Sequence, residues 1–178
     1  MGNFSDISPY ACLNWTIDLP SYVQDHVFED RIVYPAVESL FQLAAAVSGD
    51  MEDITGQIMG DVVFGKFLEL QPGQTAVEVT VEREPVEGGG MLARLLTRQK
   101  MVPSGITRTR EHARACFYNQ DRQLATPPDL LMQKTGDADF QVSAERIYQE
   151  LVPFGPAYRN IFGNLRLGQK WAEAEILA

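Results

Sequence analysis

Residues 35–47, PAVESLFQLAAAV, constrain the fold more than any other stretch of the chain. Val37, Leu40, Phe41, Ala44 and Val47 recur at helical spacing. Pro35 stands in the first turn, where a missing N–H loses no helical hydrogen bond, and Gly49-Asp50 supplies a stop. Only Glu38, Ser39 and Gln42 are polar. A helix apolar on nearly every side is wrapped by other structure, not laid on a surface. The rest of the chain must therefore provide the wrapping.

What it provides is strands. Residues 11–18 (ACLNWTID) alternate well enough for one. Four longer segments follow the helix, 58–70, 76–84, 91–101 and 108–119. Gln71-Pro72-Gly73-Gln74, residues 85–90 and Pro103-Ser104-Gly105 join them, all turn sequences. Val77, Val79 and Val81 alternate with Glu78, Thr80 and Glu82, which predicts one buried and one wet face. Consecutive strands with short connections predict an antiparallel meander, and a meander with one apolar helix to cover makes an α+β domain. Residues 121–142 are rich in Pro and Asp and read as a linker. Ser143 then caps a short helix over 144–151, with Glu145 in its first turn. A strand-like tail runs from Ile161 to Leu177, so a second sheet begins after the linker.

At 178 residues, 45% apolar and 22% charged, the chain has the size and composition of an ordinary folded domain or little more. The longest apolar stretch falls far short of the ~18 residues of a membrane helix, and the N-terminus MGNFSDISPY has no secretory pattern. Cys12 and Cys116 lie far apart without metal-ligand spacing, so zinc is not expected and buried free thiols in a reducing cytoplasm are. A net charge of −9 disfavours nucleic acid. Yet Arg94, Arg98, Lys100, Arg108, Arg110 and Arg114 gather where Glu111 is the only acid. They form either solvated strand faces or a patch for a phosphate-bearing or acidic partner.

One of only two histidines precedes the apolar helix, in DHVFEDRIVYP. His26 is either a polar loop residue or a base held near the helix start. An imidazole titrates near pH ~6.5 and takes a proton readily at neutral pH. His112 lies in a strand-like segment and reads as structural or exposed. Gly88-Gly89-Gly90 sits in a hairpin connection, which excludes a phosphate loop at a helix start.

His26-x-x-x-Asp30-x-x-x-x-Pro35 resembles the His-x-x-x-Gly-x-x-x-x-Pro motif of polyketide synthase dehydratase domains. The entry strand, histidine loop, central helix and following strands are similar to that family in order. Phe154-Gly155-Pro156-Ala157-Tyr158 resembles its Tyr-Gly-Pro-x-Phe/Tyr signature near the start of a second sheet. The resemblance implies a hotdog fold, an antiparallel sheet wrapped around a central apolar helix, over residues 1–120. Residues 121–142 would be the linker, and 143–178 the beginning of an incomplete second hotdog. It implies a lyase that removes water from 3-hydroxyacyl thioesters on an acyl carrier protein to give 2-enoyl chains. His26 would be the base, with Asp30, Pro35, Gly155, Pro156 and Tyr158 at the substrate; a packing aromatic is the alternative role for Tyr158.

The helix start near Pro35 would stabilise charge developing on the thioester carbonyl. Arg94 and Arg98 would meet the carrier protein. No bound cofactor or metal is implied, since phosphopantetheine carries the substrate. The implied partners are the carrier protein, neighbouring synthase domains and a second hotdog, in the same chain or in a homodimer, with no nucleic acid or membrane. The sequence departs from the family at two places. Asp30 replaces the motif glycine, and Asp is among the residues that tolerate positive φ. The family's catalytic aspartate, on the helix of the second hotdog, has no counterpart before Ala178. A product-template-like domain guiding cyclisation, and a silent hotdog serving dimerisation or chain holding, are the other expectations.

Overall fold

The computed structural model describes residues 11–48, 54, 56–87, 89–103, 105–119 and 137–176. In chain order the strands are β1 (Ala11–Asp18), β2 (Val27–Phe28), β3 (Arg31–Val33), β4 (Ile58–Phe64), β5 (Glu69–Leu70) and β6 (Ala76–Val86). They continue with β7 (Gly90–Lys100), β8 (Thr107–Tyr118), β9 (Phe140–Ser143), β10 (Ile161–Leu167) and β11 (Ala172–Ile176). Helix α1 covers Ala36–Ser48 and α2 covers Ala144–Arg146. The chain divides into two compact units, Met1–Pro20 with Tyr34–Gln123, and Ser21–Val33 with Leu124–Ala178. Loop 21–33 is thus the one piece of the first 120 residues that groups with the C-terminal segment.

The first unit is a five-stranded antiparallel sheet, order β1-β6-β7-β8-β4, packed on α1. Leu43, Ala46 and Val47 of the helix are buried, as are Val79, Val81, Met91, Ala93, Leu95, Ala113, Ala115 and Phe117 of the sheet. The expected meander holds for β6, β7 and β8 only. β4 crosses to the far edge beside β8, and β1 takes its place beside β6. Hairpin turns dictate neighbours for the strands they join, while β4 enters and leaves through longer connections that carry no such instruction. Gly65, just past β4, makes a close backbone approach to β8. Its N–H donates to the His112 carbonyl at 2.9 Å, and a Cβ there would meet the Glu111 carbonyl oxygen at 2.5 Å.

The polar residues of α1 have local reasons. Gln42 accepts from the Trp15 indole N–H at 2.9 Å, and Ser39 Oγ returns to the Pro35 carbonyl at 3.4 Å. Arg83 of β6 is buried and donates to the Ala46 carbonyl at 2.8 Å. It places a cation among the last carbonyls of the helix, where the dipole favours one. The helix is covered on one side and not all round, since Val37 and Phe41 remain 61% and 63% exposed. Cys12 also departs from expectation. Alternation along β1 puts it on the exposed side with Asn14 and Thr16, while Cys116 is buried. Likewise Thr80, expected on a wet face, is buried.

The second unit holds an antiparallel sheet, order β11-β10-β9, and the hairpin β2–β3. Ser143 caps α2 by accepting from the Arg146 N–H at 3.2 Å, as expected. The helix continues as a π turn over Ile147–Leu151 and stops before Pro153, with Val152 outside the helical region. The stop at Gly49-Asp50 and most of the expected linker, residues 121–136, lie outside the described residues. Among the described residues, no helix is long and apolar enough to cross a membrane.

Candidate active site

The loop 21–33 shows why the spacing around His26 matters. A 3-10 turn over Ser21–Asp25 leads in, and the His26 N–H donates back to the Val23 carbonyl at 3.1 Å. The chain then forms a two-residue hairpin, with Val27 opposite Ile32 and Phe28 opposite Arg31. Its turn residues Glu29 and Asp30 have φ of 48° and 59°. Positive φ at both central positions is the geometry of a type I′ turn, whose twist suits a tight hairpin. Asp30 therefore supplies the conformation that a glycine would, and it is exposed at the turn tip.

This register continues to His26 and Val33. The Val33 N–H donates to the His26 carbonyl at 3.0 Å. The His26 backbone N–H is already engaged with Val23, and the imidazole takes its place against the Val33 carbonyl, with Nδ1 at 2.7 Å. A carbonyl only accepts, so Nδ1 carries the proton and the neutral ring has its lone pair on Nε2. The ring is fixed in one tautomer with the basic nitrogen at its far end.

The segment 154–158 supplies the surroundings. The Phe154 ring stacks on the imidazole, centroids 4.7 Å apart at 30°, and Tyr158 meets it edge-on at 5.1 Å and 65°. Tyr22 lies 6.1 Å from Tyr158. Pro156 begins a 3-10 turn over Pro156–Tyr158, and Arg159 Nε ties back to the Phe154 carbonyl at 2.8 Å. Asp25 binds this turn twice. Its carbonyl accepts from the Gly155 N–H at 2.7 Å, and its Oδ2 accepts from the Ala157 N–H at 2.9 Å. His26, Gly155, Pro156 and Tyr158, all expected at the site, thus come together across about 130 residues of chain. Asp25 and Phe154 join them without having been singled out as site residues. Both stand inside the quoted motifs, but no sequence signal says that one clasps the other's turn.

The remaining expected site residues lie elsewhere. Pro35 is buried and immediately precedes α1, its carbonyl accepting from the Ser39 N–H at 3.1 Å. Arg94 pairs with Glu84 at 2.8 Å and Glu111 at 3.8 Å; Arg98 pairs with Glu82 at 2.6 Å. The hydrogen bond to Arg94 holds the Glu84 carboxyl below its ordinary range, and the same bond raises the guanidinium. Cross-strand carboxylates take up much of the charge that gathers along the sequence here. His112 is buried and structural. Its Nδ1–H donates to the Lys66 carbonyl at 2.8 Å, and Nε2 lies 2.8 Å from Thr97 Oγ1.

The antiparallel sheet on a single helix, followed by further antiparallel strands, is the hotdog fold. More particularly, solved structures that this chain matches include polyketide synthase dehydratase domains. One is from a trans-AT polyketide synthase of Brevibacillus brevis, with 18% identity, a TM-score of 0.69, and coverage of 98% of this chain and 65% of that one. Another is from the CurF module of curacin polyketide synthase, with 16% identity, a TM-score of 0.72, and coverage of 98% and 62%. A third, the CurK dehydratase, was solved as two inactive mutants, a histidine-to-phenylalanine and an aspartate-to-asparagine variant. These match at 16% and 17% identity, TM-scores of 0.66 and 0.68, 98% of this chain, and 60% and 62% of theirs. The chain therefore spans less than two thirds of the length of these domains. No protein-family model and no curated protein matches it.

Proposed function

We propose that this chain carries the base of a dehydratase site that converts 3-hydroxyacyl thioesters, presented on the phosphopantetheine of an acyl carrier protein, to 2-enoyl thioesters. The observation that carries this reading is the 2.7 Å bond from His26 Nδ1 to the Val33 carbonyl, which leaves Nε2 as the proton acceptor. Nε2 takes the proton from the carbon beside the thioester carbonyl. A separate acid protonates the hydroxyl on the next carbon, the C–O bond breaks, and water leaves as the double bond forms. No residue of this chain is assigned as that acid. The rings of Phe154 and Tyr158 pack against the imidazole and hold it in position. The inactive histidine variant of the CurK dehydratase supports a histidine in this role.

The test is turnover of a 3-hydroxyacyl pantetheine thioester by the full chain, followed by absorbance of the enoyl thioester. General-base loss is worth about 10²- to 10⁴-fold, so His26→Phe is expected to lower the rate by at least about 100-fold. Equal rates for wild type and variant would overturn the reading.

A further inference from the structure

We propose that Asp25 is a positioning residue for His26, acting through the turn 154–158; this rests on the reading of His26 as the base. Asp25 is the chain neighbour of His26, yet its bonds go to the distant turn. Its backbone carbonyl holds the Gly155 N–H at 2.7 Å and its carboxylate holds the Ala157 N–H at 2.9 Å. The second bond satisfies an amide at the start of the Pro156–Tyr158 turn, as a short acidic side chain does at a cap. The two clasped amides lie between Phe154 and Tyr158, the two residues whose rings touch the imidazole. The bond to Val33 fixes one nitrogen of His26, and the clasp fixes the rings that set its tilt.

Gly155 is shaped for this clasp. Its φ of −69° and ψ of 175° suit any residue, so its backbone conformation does not demand glycine. What demands it is space. A Cβ at 155 would lie 2.6 Å from the Asp25 Cβ and closer still to its carboxyl carbon, so any side chain there pushes Asp25 off the turn.

The chain's two histidines make the test direct. Ring protons of His26 are shifted upfield by the stacked Phe154 ring, and those of His112, in the first unit, report whether that unit is folded. In the full chain, Asp25→Ala is expected to move the His26 resonances towards unstacked values while His112 stays in place. Dehydration is expected to fall by about 10- to 100-fold in kcat, in line with the penalty for small misplacements, with KM little changed. Asp25→Asn retains a side-chain carbonyl and should restore both resonance and rate. Gly155→Ala should reproduce Asp25→Ala, and with Asp25→Asn it carries the test if Asp25→Ala does not fold. An unmoved His26 resonance in Asp25→Ala or Gly155→Ala overturns the proposal. So does an Asp25→Asn variant as impaired as the alanine. Equal dehydration rates for wild type and His26→Phe would refute the dehydratase reading alone, because the resonances still decide the clasp.

Discussion

Asp30 is the position at which backbone conformation and site geometry meet, and replacing it separates two readings of its carboxylate. With φ at 59°, it sits where an L-residue loses about 1–2 kcal/mol, with Asp towards the lower end because its short polar side chain tolerates this region. Asp30→Gly removes that strain but adds about 0.5–1 kcal/mol of chain entropy to be lost on folding. The two terms nearly cancel, so Asp30→Gly should fall within about 0.5 kcal/mol of wild type. Asp30→Val meets the full penalty and branching besides, and should destabilise by about 1.5–2 kcal/mol. With a urea slope of about 2 kcal/mol/M, the midpoints of the two variants should differ by close to ~1 M. Dehydration should follow the same order, because the turn sets the register that brings Val33 opposite His26. If glycine lowers the midpoint as far as valine does, the carboxylate and not the left-handed backbone is what the position needs.

Three further outcomes follow from the first unit. Burial lowers the proton affinity of His112, and the nearby Arg110 charge adds to this, against the opposing pull of the Lys66 and Phe67 carbonyls. A folded pKa below the unfolded value of about 6.5 means the unfolded chain binds the proton more readily. The neutral ring's contribution is therefore complete above about pH 6.5 and declines as pH falls below it; in urea unfolding, the advantage of wild type over His112→Gln should shrink between pH 7.5 and 5.5. Arg83→Met removes a buried bond to the Ala46 carbonyl and should lower stability by about 1–3 kcal/mol, with Arg83→Lys recovering part of it in the same assay. Arg98 and Glu82 are an exposed cross-strand pair, so Arg98→Gln should change stability by no more than about 1 kcal/mol, and less at high salt.

Much of the local structure was legible in the sequence. α1 follows from the 3.6-residue spacing of its apolar side chains. β6, β7 and β8 follow from alternation between turn residues, and the Ser143 cap from its position ahead of a helical segment with Glu145 in its first turn. At Asp30 the sequence offered only a residue that tolerates positive φ; the pairing of His26 with Val33 came from the structure. There a two-residue turn at Glu29-Asp30 fixes which residues face each other.

Tertiary structure decided the rest, because the partners involved are far apart in the chain and their pairing leaves no periodic trace. It placed β4 beside β8, chose the side of the helix that is buried, and paired the arginines of β7 with carboxylates on neighbouring strands. Above all, it brought the turn at Gly155 against Asp25, 132 residues from the amide its carboxylate holds. The sequence by itself determined that a histidine precedes an apolar helix, with an aspartate that tolerates positive φ between them. Only the folded chain made that histidine a one-tautomer base between two rings, because ring contact and carbonyl geometry exist only once distant segments share the same space.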